Sequence, residues 1–137
     1  MPTIDVYRLE INVNGTSVGP FNAHVYRESL TKLIHSYKDS LDWEFVKEPK
    51  DDGISGFHSG LVCGFVDCEQ FFIWCNGRFA VNDLLEAGFK INQYLIPEEE
   101  LLVGRTQVAF RLAGRTPVAT YNWEDLLDKL SNQLYLI

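Results

Sequence analysis

The first strong pattern in the chain is an alternation of apolar and polar side chains from Thr3 to Val13. The two faces of this segment carry Tyr7, Leu9, Ile11 and Val13 on one side and Val6, Arg8 and Glu10 on the other. A period of two is typical of a β-strand with one face in the core. The Asn14-Gly15 pair that follows is a strong hairpin signal, so the chain is predicted to turn back on itself there.

Between His24 and about Ser40, apolar side chains recur at steps of three and four residues. They are Tyr26, Leu30, Leu33, Ile34, Tyr37 and Leu41. This period predicts one amphipathic helix that packs its apolar face on the core.

The stretch from His58 to Cys75 combines a short apolar strand, a glycine turn and a capped helix. Leu61–Phe65 is the predicted strand. Asp67 can accept hydrogen bonds from the open amides of the helix that it precedes, and Gln70 can reach back toward this cap. The helix then presents an apolar stripe made of Phe71, Trp74 and Cys75.

The rest of the chain predicts further short elements. In order, they are a helix at Val81–Ala87, strands at Phe89–Ile96, Leu101–Val103 and Gln107–Leu112, and a segment Pro117–Tyr121 that extends or pairs with the preceding strand. The last is a helix from Asn122 to about Gln133, with Trp123, Leu126, Leu127 and Leu130 on its inner face. Asn82 and Asn122 are predicted helix caps, and Gly88 a left-handed helix terminator. This mixed order predicts an α+β fold: a single domain over residues 1–137 with a mostly antiparallel mixed sheet and three to four helices.

Charge narrows the kinds of partner that the chain can bind. The 137 residues carry a formal net charge of −7, which is the wrong sign for a general attraction to nucleic-acid phosphates. The same charge permits binding to a basic protein surface, and it also favours plain solubility. No apolar run reaches the length of a membrane span, and no basic region followed by an apolar one marks the N-terminus. We therefore expect a cytoplasmic protein that binds neither membranes nor nucleic acid directly.

The three cysteines do not predict a metal centre or a disulfide framework. Cys63, Cys68 and Cys75 are an odd number of thiols without a closely spaced pair, although His58 is near in sequence. Zinc sites are typically built from close Cys or His pairs. Buried structural thiols are the expected role, and no metal is predicted.

Arg8 is the most informative single residue of the predicted first strand. If both faces of this strand are covered, its guanidinium is a partly buried cation that needs an anion. That anion can be Glu10 or another carboxylate, which would make the pair structural. It can equally be a phosphate or carboxylate of a ligand.

Carboxylates in two turns are the candidate partner-binding residues. Asp51 and Asp52 fall in a polar loop, and Glu98, Glu99 and Glu100 follow Pro97 in a turn that is expected to be solvated. Consecutive residues of an extended chain point to opposite faces, so the three glutamates are not expected to converge on a metal or act as an acid–base pair.

Several short motifs, in their order along the chain, resemble a widespread family of small phage and prophage proteins. They are Tyr7-Arg8-Leu9-Glu10 followed by Gly19-Pro20-Phe21, then Cys63-Gly64-Phe65 with Glu69-Gln70-Phe71 and Trp74, and then Leu85–Phe89, Tyr94–Pro97 and Gln107–Phe110. The resemblance covers most of the chain to about Phe110. No further motif follows, and the closing helix is interpreted as a possible addition.

The same order of motifs is more distantly similar to small ADP-ribosyltransferase folds. That similarity would give Arg8 the role of the first-strand cation, place Phe65 on the second motif strand, and put Gln107 where a catalytic glutamate is expected. His58 would be an auxiliary ligand-binding residue, and NAD the cofactor. A neutral glutamine can still hydrogen-bond a ribose, but it supplies no charge to an oxocarbenium-like transition state. The similarity therefore implies a nucleotide pocket more than an active transferase.

Two functions remain open from the sequence. The first is a small acidic phage accessory protein, not an enzyme and without a cofactor, that binds and inhibits a host protein with a basic surface, for instance a nucleic-acid-guided defence complex. The alternative is a nucleotide-binding or ADP-ribosyltransferase-like enzyme. It requires Arg8, Phe65 and Gln107 to line one cleft, and it is disfavoured if Arg8 pairs with a core carboxylate. The apolar run at residues 71–73 leaves a dimer open.

Overall fold

The computed structural model describes residues 2–21, 23–41, 48–54, 56–57, 60–74, 83–122, 124–126 and 128–130. Its larger sheet has four antiparallel strands in the order β2-β1-β4-β7. The strands are β1 at Thr3–Val13, β2 at Thr16–Val18, β4 at Lys90–Pro97 and β7 at Ala119–Tyr121. The predicted hairpin is confirmed, since Asn14 and Gly15 both have positive φ angles, 52° and 85°, as a tight two-residue turn requires.

A smaller sheet stands beside β1. It has three antiparallel strands in the order β3-β6-β5, with β3 at Val62–Gly64, β5 at Leu102–Val103 and β6 at Val108–Phe110. One bridge joins it to β1: the Tyr7 amide donates to the Phe65 carbonyl at 2.8 Å, and the Phe65 amide donates to the Tyr7 carbonyl at 2.9 Å. The α+β fold class with antiparallel sheets is confirmed.

The named helices are α1 at Ala23–Tyr26, α2 at Thr31–Ser40 and α3 at Cys68–Trp74. Residues 83–86, 124–126 and 128–130 are also helical. Short 3-10 turns lie at Glu28–Leu30, Pro49–Asp52 and Glu98–Glu100. Gly88 has a φ of 109°, which confirms it as the left-handed residue after the helical segment at 83–86.

Strand β1 lies between two hydrophobic clusters, so most of its length is buried on both faces. Tyr7, Leu9 and Ile11 belong to the larger hydrophobic cluster, together with α2 and the closing helix. Val6 belongs to a second cluster with Tyr94, Ile96, Val108 and Phe110. Because neither face meets solvent from Val6 to Ile11, the charged side chains of Arg8 and Glu10 must find partners inside the protein.

The helix predicted from His24 to Ser40 is interrupted. Helix α1 ends at Tyr26, Arg27 is extended with a φ of −141°, and a 3-10 turn leads into α2. Tyr26 is 54% exposed instead of buried, while Ala23 and Leu30 both reach the core. Because of the break, α1 and the 3-10 turn at Glu28–Leu30 each direct one apolar residue into the core. The prediction of one continuous helix is therefore wrong.

The segment near residue 119 pairs with a different strand from the one suggested by its place in the chain. Strand β7 lies against β4, and the Val118 amide donates to the Gln93 carbonyl at 2.8 Å. The chain then enters the closing helix, whose cap is confirmed by a 2.8 Å hydrogen bond from the Asp125 amide to Asn122 Oδ1. Leu126 and Leu130 are buried in the larger cluster, so this helix is an integral part of the core.

Some predictions fall on residues outside the described ranges. These are the ones made for His58, Cys75, Val81, Asn82, Trp123, Leu127 and residues 131–133, and for the side chains of Cys68, Phe71 and Phe72.

Candidate functional site

A cleft of about 580 Å³ opens where β1 and β3 meet the turn after β2 and the helices α2 and α3. Its polar lining includes Arg8, Cys63 and Gln107, and its aromatic lining includes Phe21, Phe65 and Trp74. Concave sites with mostly apolar walls and a few convergent polar groups are the usual places for small ligands in proteins.

Arg8 contributes a buried positive charge to the lining of this cleft. Its side chain is buried, and its Nε lies 3.3 Å from Oε2 of Glu10, an ion contact without hydrogen-bond geometry. The other oxygen of Glu10 accepts hydrogen bonds from Asn92 Nδ2 at 2.6 Å and from the Tyr94 hydroxyl. Burial lowers the pKa of Arg8, although a guanidinium stays charged at any physiological pH. Burial, followed by the hydrogen bond to Glu10, raises the pKa of Tyr94.

The other end of the Arg8 guanidinium faces Gly19. A Cβ placed on Gly19 would lie 3.4 Å from both Nη1 and Nη2 and 3.7 Å from Cζ. Because it would be nearer to both terminal nitrogens than to the central carbon, it would stand at the terminal edge, obliquely to the plane of the guanidinium. Glycine at this position therefore leaves that edge uncovered by a side chain.

An aromatic wall borders the cleft. The Phe21 ring meets the rings of Tyr37 and Trp74 edge to face, with centroids 5.8 Å and 5.5 Å apart. The Tyr37 hydroxyl donates to the Trp74 carbonyl at 2.7 Å, and Trp74 Nε1 donates to the Thr106 carbonyl at 2.7 Å. These bonds fix the wall to the turn before β6.

That turn positions Gln107, and a buried carboxylate holds it in place. Asp52 Oδ2 accepts from the Thr106 amide at 2.8 Å, and Oδ1 accepts from the Thr106 hydroxyl at 2.9 Å. The Arg105 amide donates to the Asp52 carbonyl at 3.0 Å. Gln107, only 2% exposed, is therefore presented to the cleft by a fixed backbone.

The acidic candidates divide into two groups. Glu98, Glu99 and Glu100 are exposed on their 3-10 turn, as expected, and Glu100 pairs with Arg115 at 2.9 Å. Asp51 is also exposed. Asp52 is 6% exposed and bonded to Thr106, so its prediction as a surface carboxylate is wrong. The contact spans 54 residues of sequence, which is why the local loop pattern does not reveal it.

The structure brings together three of the four ligand residues that the sequence suggested. Arg8, Phe65 and Gln107 line the same cleft, whereas His58 lies outside the described residues. Arg8 also pairs with the core carboxylate Glu10. The shared cleft favours the enzyme alternative, whereas the pairing of Arg8 with a core carboxylate disfavours it. Gly19 and Trp74 belong to motifs seen in the sequence, but their place in the cleft required the fold.

Cys63 lies in the cleft as a free thiol, and burial raises its pKa to about 11. We predict slow alkylation of Cys63 by iodoacetamide at pH 8, where almost all of the buried thiol is protonated, and a rise in rate only as the pH approaches 11. Peptide mapping by mass spectrometry would resolve Cys63 from the other two cysteines. A rate that levels off near pH 9 would contradict the prediction.

Two other features concern only the described residues. None of the helices in these ranges is long and apolar enough to cross a membrane. In the same ranges, no three His, Cys, Asp or Glu side chains are grouped closely enough to hold a metal ion.

The fold and site define a small acidic α+β protein with an aromatic-walled cleft beside a buried arginine. Residues 1–124 match the family model described as Bacteriophage T4 Y00F protein, and the chain belongs to this family. The resemblance to a small phage protein family is thereby confirmed, and the chain is a phage accessory protein. No curated protein and no solved structure matches it. The similarity to ADP-ribosyltransferases has no support from these comparisons.

Proposed function

We propose that this phage accessory protein binds and inhibits a host protein that exposes a basic surface, in the host cytoplasm. A component of a nucleic-acid-guided defence complex is the kind of partner we have in mind, because such proteins carry basic surfaces for their nucleic acid. The net charge of −7 favours association with such a surface through long-range attraction.

The observation that carries the proposal is the pair Glu98 and Glu99. Both side chains are exposed on a 3-10 turn that is fixed at both ends, since the Glu98 amide donates to the Pro2 carbonyl at 3.1 Å and the Leu101 amide to the Glu98 carbonyl at 3.2 Å. Arg115 neutralises the neighbouring Glu100, but no cation among the described residues pairs with Glu98 or Glu99. A partner cation can therefore meet two carboxylates that are already held in place.

We expect the wild-type protein, expressed in a host with an active nucleic-acid-guided defence, to restore plating of a targeted phage. The variant Glu98→Gln/Glu99→Gln should lose most of this protection, because two partner-facing charges are removed. Affinity capture from the same host, repeated across a salt series, should show binding that weakens as salt rises.

A charge-matched control separates this surface from a general effect of net charge. Glu28 and Asp39 are exposed elsewhere on the protein, so Glu28→Gln/Asp39→Asn removes the same charge at another place. Protection should survive in this control. Equal loss in both variants would reject the Glu98–Glu99 surface, and absence of protection by the wild-type protein would reject inhibition of that defence.

A second candidate is the nucleotide-binding or ADP-ribosyltransferase-like enzyme, favoured by one observation: Arg8, Phe65 and Gln107 share a cleft. The test is mass spectrometry of the purified protein with NAD and a host lysate, read for bound nucleotide and for ADP-ribosylated products. A product that disappears in Gln107→Ala would support the enzyme. No nucleotide and no product would leave protein binding as the function.

A further inference from the structure

The strongest unassigned feature is the terminal edge of the Arg8 guanidinium. Glu10 approaches the guanidinium at Nε, 3.3 Å away, whereas Nη1 and Nη2 are the atoms nearest to the Cβ position of Gly19. Among the residues that the structure describes, no hydrogen bond is made by Nη1 or Nη2. Nε is the fully buried nitrogen of Arg8 that lacks a hydrogen-bond partner, so the terminal nitrogens keep some access to solvent, although the residue is only 7% exposed and lines the cleft. They are therefore charged donors that a ligand in the cleft can reach.

The geometry in front of this edge suits an oxyanion. Two parallel N–H groups of a guanidinium match the two oxygens of a carboxylate or phosphate, and such paired bonds are among the strongest in proteins. Gly19 places no side chain in front of these nitrogens, where a Cβ would lie 3.4 Å from each of them. Neutral Cys63, whose pKa is raised by burial, adds no competing negative charge nearby.

The walls of the cleft indicate the rest of the ligand. Phe21, Phe65 and Trp74 offer aromatic surface, and Pro20 and Leu61 extend it. Two charged residues also line the cleft, Lys38 and Glu48, and Lys38 Nζ lies 5.6 Å from the centre of the Phe21 ring. A flat apolar body would bury well against such walls.

We propose that the cleft binds a small molecule that carries one oxyanion, a carboxylate or a phosphate, on a flat apolar body. The oxyanion bonds to Nη1 and Nη2 of Arg8, and the body packs against Phe21 and Trp74. This site is separate from the acidic turn at Glu98–Glu100, so either proposal can fail without the other.

The experiment titrates the intact protein with benzoate, phenyl phosphate and benzyl alcohol while NMR follows the Gly19 amide and the Arg8 side-chain N–H signals. Both anions should shift these signals, and benzyl alcohol should bind at least about tenfold more weakly, because it has the same ring and no charge. The anion that binds with the higher affinity shows whether the site prefers a carboxylate or a phosphate. If neither anion shifts the two signals, or if benzyl alcohol binds as well, the proposal is wrong.

Gly19→Ala provides the matched variant. The three atoms nearest to its methyl group would all belong to the Arg8 side chain, at ordinary contact distance, so the fold should be retained. The same methyl group stands where the oxyanion approaches, so anion affinity should fall by about tenfold or more while benzyl alcohol binding changes little. Unchanged anion affinity in the folded variant would place the anion elsewhere.

Discussion

Replacing Glu10 with alanine is expected to lower the free energy of unfolding by about 3–5 kcal/mol, which corresponds to a fall in Tm of roughly 10–20 °C. The reason is the burial of its partners. The substitution leaves Arg8 as an uncompensated cation inside the protein, and it removes the acceptor of both Asn92 and the Tyr94 hydroxyl. Urea denaturation followed by circular dichroism would measure the change.

Two companion variants make the result interpretable. Glu86→Ala removes an exposed carboxylate of a helical segment and should change stability by less than about 0.5 kcal/mol. Arg8→Met/Glu10→Leu removes both charges and should be less destabilised than Glu10→Ala, because no charge is then left unpaired. If Glu10→Ala behaves like Glu86→Ala, the buried pair does not contribute to stability.

The pairing of Arg8 with Glu10 could be predicted from the sequence, because both residues lie on the same short stretch of one strand. Alternation along Thr3–Val13 places Arg8 and Glu10 two residues apart on one face of a strand. The other face is apolar, so burial of both charges follows once the strand becomes central. Alternation does not predict the orientation of the guanidinium, whose Nε faces Glu10 and whose terminal nitrogens face Gly19.

The features that the sequence misses depend on contacts between distant segments. Asp52 looks like a loop carboxylate until Thr106 is brought beside it. Strand β7 follows β6 in the chain, but it pairs with β4. Periodicity describes which face of an element is apolar, and it contains no information on which element will cover that face. The cleft could not be predicted for the same reason, because it is formed by segments that are distant in sequence: β1, β3, α2, α3 and the turn after β2.

Gly64→Ala is predicted to have the second large effect, a loss of about 3 kcal/mol in the free energy of unfolding. A Cβ at this position would lie 2.6 Å from the Tyr7 carbonyl oxygen and 2.8 Å from Val6 Cγ1. The first contact is with backbone of the central strand, which cannot move aside as a flexible side chain could. The smaller sheet must therefore shift away from β1.

Hydrogen exchange would show where this strain is released. The amides of Tyr7 and Phe65 bond to each other's carbonyls across the junction of the two sheets, so they should exchange faster in Gly64→Ala. The amides that pair β1 with β4 lie on the opposite edge of β1 and should keep their protection. Gly19→Ala is the matched control, because the atoms nearest to its methyl group belong to the Arg8 side chain and not to backbone. If both glycine variants are equally stable and the Tyr7 and Phe65 amides stay protected in each, close packing at Gly64 is not what holds the sheets together. Loss of protection confined to the junction would instead show that the strain of an added methyl group is released where the two sheets meet, at the Tyr7–Phe65 bridge.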